Sequence, residues 1–306
     1  NAAEFRLGDF NAERFCDENP KGALTYECVD GNPNQGGDQP PTTAQVEAKI
    51  ARTADYIVAI LDLPDVVAMQ EIETEAMLDR LAAKIAQLQP GVTYSTYLID
   101  GNDPSGIDVG YLVRDDRVTN VSITTYDSNL DWNFNGQTER LFDHPPLLLR
   151  GTFTGGGQNF PFALINNHLK ARSKVDNDAD SGAPRDRAKR FEQAKALAQR
   201  VQAFQTNPVN AGIPLAVMGD LNAFEFGDGY ADLVGVIAGD YDDNVNQLKL
   251  NGPNIVSPKL LKTVMTVPHE DGYSYIFTER LGAIMGYEAA GSDTGRDVPS
   301  LQTIDH

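Results

Sequence analysis

The sequence predicts an α/β fold with its strands in two packed sheets. Three observations carry that expectation. Amphipathic helical stretches and short apolar strands are interspersed along all 306 residues, neither a linker nor a repeat period divides them, and polar residues recur where strands end. One near-repeat, "LGDFNAERF" at 7–15 and "MGDLNAFEF" at 218–226, stops after nine residues and so marks no duplicated unit.

The elements follow in chain order. "FRLGDF" reads as a strand, and residues 18–43, rich in Gly, Pro, Asn and Asp, as an irregular loop. Val46, Ile50, Ala54, Ile57 and Ile60 recur at helical spacing behind Thr42 or Thr43 as N-cap, and Pro64 ends that helix. "DVVAMQE" is a buried strand, and "TEAMLDRLAAKIAQL" a second amphipathic helix closed by Pro90 and Gly91. Strands are expected at "YSTYLI", "IDVGYLVR", "VTNVSITTY", "PPLLLRGTFT" and "FPFALINNHL". A long helix, "RDRAKRFEQAKALAQRVQAFQ", leads into the strand "IPLAVMG", with shorter strand signals at "KTVMTV", "YSYIF" and "QTID".

Composition narrows the function. With 44 acidic against 25 basic residues the formal charge is −19, the opposite of the basic footprint of a general nucleic-acid binder. No apolar run is long enough to span a bilayer. Cys16 and Cys28 lack zinc-ligand spacing, and a local disulfide competes with two free thiols; the disulfide favours an exported setting. The bases are unevenly placed, seven falling between Lys170 and Arg190, where they either solvate a helix face or steer a polyanion. Within that stretch "DNDADSG" alternates like a calcium loop, but Gly182 stands one place late and Arg187 holds the twelfth position. A solvated acidic loop therefore competes with a structural Ca²⁺.

The strand-end residues are Asn11, Glu71, His168, Asp220, Asn222 and Asp305. Any one of them is best read as a cap or a turn residue; six in the same setting point to a site at one rim of a sheet. The set is oxygen-rich with one imidazole. It suits a hard cation such as Mg²⁺ or Ca²⁺ rather than structural zinc, and a divalent ion, Mg²⁺ or Mn²⁺, beside a histidine and carboxylates is the equipment for phosphoester hydrolysis.

The motifs "DFNAERFCD", "DVVAMQEIE", "GIDVGYLVRDDRV", "FDHPPLLLRGTF", "NNHLKAR", "MGDLNAF", "YSYIF" and "IDH" run in order through residues 9–306. In that order the chain resembles the endonuclease/exonuclease/phosphatase superfamily, the fold of pancreatic deoxyribonuclease I, and within it the exported bacterial nucleases. The resemblance implies a four-layer α/β sandwich, two packed, mostly antiparallel sheets flanked by helices, as a single domain over 1–306 short of its last C-terminal strands. It implies Glu71 as metal-binding glutamate with Asn11 beside it as a metal-shell or phosphate contact, and His168 as catalytic histidine with Asp108 orienting it. Asp220 and Asn222 would position the nucleophile and bind phosphate, and Lys170 would contact substrate. On this reading the two near-repeats are two walls of one site, with Asp9 incidental.

Two departures matter. The family's arginine in the "FDRPP" piece is His144 here, so Arg140 would have to substitute or phosphate binding would weaken. The terminal "TIDH" is either the earlier of two acidic motifs, making Asp305 a metal or site residue whose partner histidine lies beyond 306, or the final pair, making His306 catalytic. The function expected is therefore a secreted or extracytoplasmic bacterial nuclease acting on DNA or RNA. A phosphatase, or a phosphoesterase acting on phospholipid or inositol phosphate, competes with it, as does a silent binding module that retains the fold. The oligomeric state is left open.

Overall fold

The structure is a computed structural model that describes residues 4–19, 40–266, 275–276 and 301–302. The chain divides into two compact units: Asn1–Lys170 with Phe204–Asp220, and Ala171–Ala203 with Leu221–His306.

The first unit holds two four-stranded sheets. One has the order β1 (Leu7–Phe15), β2 (Val66–Ile72), β4 (Asp108–Arg114), β3 (Tyr94–Leu98). The other has the order β10 (Leu215–Asp220), β9 (Gln158–His168), β8 (Leu147–Gly155), β5 (Val118–Thr125). The two are built alike: the edge strand β1 is parallel to β2, and β10 to β9, while the remaining pairs are antiparallel. Period-two alternation decides which face each residue covers. Val66 and Ala68 of β2, with Val109, Tyr111 and Val113 of β4, meet Leu147, Leu149, Phe162, Leu164 and Met218 of the second sheet in one core. Tyr111 Oη lies 2.9 Å from the Leu147 carbonyl and 3.2 Å from that of Leu164, so its polar end is satisfied inside that core.

The alternate residues, Val67, Met69 and Leu112, face a second core under α1 (Thr43–Ala59) and α2 (Glu75–Leu88). Thr42 caps α1 in a capping box with Gln45, and Thr74 caps α2. Ile60 departs from its expected place on the apolar stripe: it is the C-cap of α1 and 66% exposed. Helix, sheet and sheet thus stack in layers in this unit.

Three further differences from the expected elements lie in connections. Residues 131–140 form a hairpin, β6 (Asp131–Phe134) and β7 (Gln137–Arg140), turned by Asn135 and Gly136 at φ 51° and 84°. "KTVMTV" is not a strand; Thr263–Thr266 make a single 3-10 turn. A short helix α4 (Leu233–Ala238) was not expected. In the second unit, α3 (Ala183–Thr206, its last three residues counted with the first unit) and α4 supply buried Leu197, Val201, Val236 and Ile237. Within "YSYIF" the described residues form the two-residue strand β11 (Tyr275–Ile276), paired with β12 (Leu301–Gln302); of "QTID" only Gln302 is among the described residues. Among the described residues no helix is long and apolar enough to cross a membrane.

Candidate active site

Glu71 is aimed by a break in β2. Its φ is 61°, and the ladder slips beside it on both sides, between Asn11 and Phe15 in β1 and between Met69 and Ile72 toward β4. Such a bulge turns a side chain out of the regular pleat, at a cost for a left-handed non-glycine residue of about 1–2 kcal/mol. Hydrogen bonds hold it there: Glu71 Oε1 accepts from Asn11 Nδ2 at 3.0 Å, and Oε2 accepts from the Arg14 backbone N–H at 3.0 Å.

Asn11 is not at a strand end, as the sequence had suggested, but inside β1, where the bulge begins. Its Nδ2 also donates to Asp220 Oδ2 at 2.9 Å, and its Oδ1 accepts from the Glu13 N–H at 2.8 Å. One carboxamide therefore joins the ends of the two sheets, and Asn11 of the first near-repeated stretch touches Asp220 of the second.

Asp9 belongs to the same contact, which corrects the reading of it as incidental. Its Oδ2 accepts from the Gly219 N–H at 2.7 Å and its Oδ1 from Gln70 Nε2 at 2.8 Å. Gln70 also donates to Asn166 Oδ1 at 2.7 Å, and Asn166 Nδ2 reaches the Met69 and Gly110 carbonyls at 3.0 and 2.9 Å. These amides form a polar floor beneath the site. Although part of Asp9's surface meets solvent, burial of the carboxyl raises its pKa to about 6; Asp220's charge adds to the rise, and the two hydrogen bonds oppose it. The signal in the sequence was the repeat itself, whose Asp recurs with its Asn.

His168 and Asp220 are register partners at the ends of β9 and β10, and both are buried. His168 Nε2 lies 3.8 Å from Glu71 Oε1 and 3.9 Å from Asp220 Oδ2. Its Nδ1 is buried without a hydrogen-bond partner, so the orienting bond expected from Asp108 is absent. Asp108 Oδ1 instead accepts the Gly101 N–H at 2.8 Å, securing the loop before β4. His144 provides the orienting contact: its ring stacks on that of His168 at 4.5 Å between centroids and 9° between planes. His144 Nδ1 is 2.9 Å from the Ile107 carbonyl, an acceptor, so that nitrogen carries the proton. Burial, and then the charge His168 can carry, pull the His144 pKa down to about 4, so the ring is neutral at pH 7.

The remaining expectations fare differently. Arg140 pairs across the hairpin with Asp131 and donates to the Asn129 carbonyl at 3.1 Å. Lys170 is half-buried, two residues past His168. Asn222 lies in the second unit, at φ 47°, its carbonyl accepting from Arg190 Nη2 at 2.7 Å. Asp305, His306 and Cys28 lie outside the described residues.

The basic stretch is largely neutralised within its own unit. Arg172 pairs with Asp176 at 2.9 Å and with Asp228, Arg187 with Asp178 at 2.6 Å, and Arg185 with Asp186 at 2.7 Å, while Lys189 and Arg190 are buried. The same pairs draw Asp176 and Asp178 to separate cations, and Asp180 Oδ1 accepts from the Gly182 N–H at 2.7 Å. This loop is not a gathered calcium cage.

Among the described residues, one group of three could hold a metal ion: Glu71, His168 and Asp220, whose ligand atoms all lie within 4.8 Å of one another. Two carboxylates meeting at a partly buried point make a favourable place for a divalent cation, and the oxygen-rich donor set fits a hard one. No curated protein matches the chain. Among solved structures it is similar to an endonuclease/exonuclease/phosphatase family protein from Bacteroides thetaiotaomicron, with 13% identity over 74% of this chain and 67% of that one, and a TM-score of 0.42. It is similar to the human nocturnin catalytic domain with bound sulfate, with 16% identity over 63% of each chain and a TM-score of 0.40. It is also similar to a β-hairpin deletion mutant of the beta toxin of Staphylococcus aureus, with 17% identity over 77% of this chain and 73% of that one, and a TM-score of 0.45. The family model described as "Endonuclease/Exonuclease/phosphatase family" matches residues 25–250, more than half of the sequence, so the chain belongs to that family of metal-dependent phosphoesterases.

Proposed function

We propose that the protein is a secreted bacterial nuclease, a phosphodiester hydrolase dependent on Mg²⁺ or Mn²⁺. The observation that carries the reading is the meeting of Glu71, His168 and Asp220 around Asn11, from four strands of two sheets. Glu71 and Asp220 would hold the cation, with Asn11 fixing their separation and Asp305 a further candidate ligand. When bound, the cation would polarise a phosphoryl oxygen and offset the charge that develops on it.

The chain's own groups do the rest. His168 presents Nε2 toward both carboxylates, where it can hold or hand on a proton, and the His144 stack limits rotation of its ring. Asp220 can orient the attacking water, with Lys170 as a phosphate contact and His306 as a second histidine candidate. Buried Cys16 and a disulfide to Cys28 would suit an oxidising, extracytoplasmic setting.

One observation favours the second reading, a phosphatase or a phosphoesterase of lipid or inositol phosphates. Neutral His144 replaces the family's cationic arginine, and the internally paired bases offer a polyanion little free charge. Plasmid nicking with Mg²⁺ or Mn²⁺, with chelator and His168→Ala as controls, separates the readings. Relaxed DNA is expected with metal and the intact histidine, and His168→Ala should lower the rate by about 10²–10⁴. Intact plasmid, with hydrolysis of phosphomonoesters or phospholipid headgroups under the same metals, would establish the second reading. No turnover of any of these would leave a binding module.

A further inference from the structure

The end of β1 is held in a conformation that its residues do not favour. Glu13 and Arg14, adjacent and neither of them glycine, have φ of 49° and 59°. Two consecutive left-handed residues persist only where the surroundings hold them. Their backbone N–H groups are the ones that fix the site: Glu13 N–H donates to Asn11 Oδ1 and Arg14 N–H to Glu71 Oε2. Their carbonyls point the other way, and both are taken by one side chain. Lys49 Nζ, from α1, donates to the Glu13 carbonyl and, at 3.1 Å, to that of Arg14.

We propose that Lys49 is a positioning residue for the metal-binding group: its ammonium clamps the strained bulge whose N–H groups aim Asn11 and Glu71. Lys49 sits beside buried Ile50 and one turn after buried Val46, at the edge of the apolar face of α1, so its stem follows the seam between helix and strand. The ammonium is partly stripped of water, and the charges of Glu13 and Glu71 offset part of that burial. The two carbonyls replace lost hydration, which makes the clamp specific to a group with several donors. No motif in the sequence marks this lysine, because its partners are backbone atoms.

The inference rests on Glu71 as a metal ligand, and calorimetric titration of the full chain with Mn²⁺ tests the two separately. Wild type, Glu71→Gln, Lys49→Met and Lys49→Arg are compared. Lys49→Met is expected to weaken Mn²⁺ binding by about 10–100-fold, the usual effect of removing a partner behind a ligand. Lys49→Arg should recover most of that loss, since a guanidinium can bridge two carbonyls. Placing glycine at both 13 and 14 in the Lys49→Met background should also recover affinity, because glycine adopts positive φ without strain.

Wild-type affinity in Lys49→Met, with Glu71→Gln deficient, overturns the inference alone. Binding that Glu71→Gln leaves unchanged overturns the metal reading and the inference with it. If Lys49→Met does not fold, the double-glycine background decides: there Lys49→Met must leave Mn²⁺ affinity unchanged. A further tenfold loss would overturn action through the bulge.

Discussion

Asp9 and His144 are the residues that the structure revalues, and they titrate in opposite senses. Asp9 has its folded pKa raised to about 6, so the folded state binds more protons than the unfolded one between about pH 4 and 6. Its contribution to stability is therefore greatest at low pH and falls as pH rises through that window. His144 is pulled down to about 4, so the folded state binds fewer protons there, and its contribution grows as pH rises from about 4 to 6.5. A wild-type profile mixes the two, but the difference between wild type and Asp9→Asn isolates the first. In urea titrations with chelator present, the stability of wild type relative to Asp9→Asn should fall from pH 4 to 6 and level off above. A difference that is flat, or that rises with pH, would mean the carboxyl is not protonated in the folded protein. Asp9 was missed in the sequence because its role depends on which residues lie beneath it, and Gln70 and Asn166 reach it from 61 residues away and, through Gln70, a further 96. Glu71, His168 and Asp220 were legible because each closes an apolar strand in a recognisable motif.

At the scale of elements, legibility followed periodicity. The capped helices α1 and α2 and the eight sheet strands announce themselves by period and by punctuation. The hairpin β6–β7 carries a sequence signal of its own, Asn135-Gly136 with φ positive at both, the turn that two-residue hairpins prefer. Helix α4 had none in its pattern, since all six of its residues are buried; only Asp232 as cap and Gly239 at φ 80° mark its ends. "KTVMTV" shows the reverse error, a short apolar run that period alone cannot assign. The end of β10 carries the element-scale prediction. Gly219 has φ of 113°, and a Cβ there would lie 2.1 Å from the Asn167 carbonyl oxygen and 2.6 Å from its nitrogen. Gly219→Ala must therefore part β10 from β9 just where Asp220 and His168 are aligned. The loss should be at least about 2 kcal/mol in urea unfolding, with hydrolysis falling further than stability because Asp220 moves. An alanine variant of wild-type stability would show that the strand end relaxes freely.

For the molecule as a whole, charge is the property that constrains the substrate. A net −19 predicts repulsion of any polyanion unless one face concentrates the bases. The stretch 170–190 was the candidate for that face, yet Arg172, Arg185 and Arg187 are committed to aspartates of their own unit, and Lys189 and Arg190 are buried. A sequence count of bases cannot reveal this, since pairing depends on where the loop carrying Asp176 and Asp178 folds back. A protein that neutralises 6–10 phosphates loses about 10³–10⁵ in affinity between 50 and 200 mM salt. Here Arg172, Arg185 and Arg187 are already paired with aspartates, so the KM for duplex DNA at saturating Mg²⁺ should rise less than about tenfold over that range. Raising the field should reverse the insensitivity: His144→Arg restores a fixed cation beside His168 and is expected to lower KM for DNA at 50 mM salt and steepen its salt dependence. A wild-type slope as steep as that of a groove-binding protein would instead mean that the aspartate pairs on Arg172 and Arg187 open when DNA arrives. The substrate would then be competing with the protein's own carboxylates for those two guanidinium groups, and Asp176→Asn and Asp178→Asn would each tighten DNA binding.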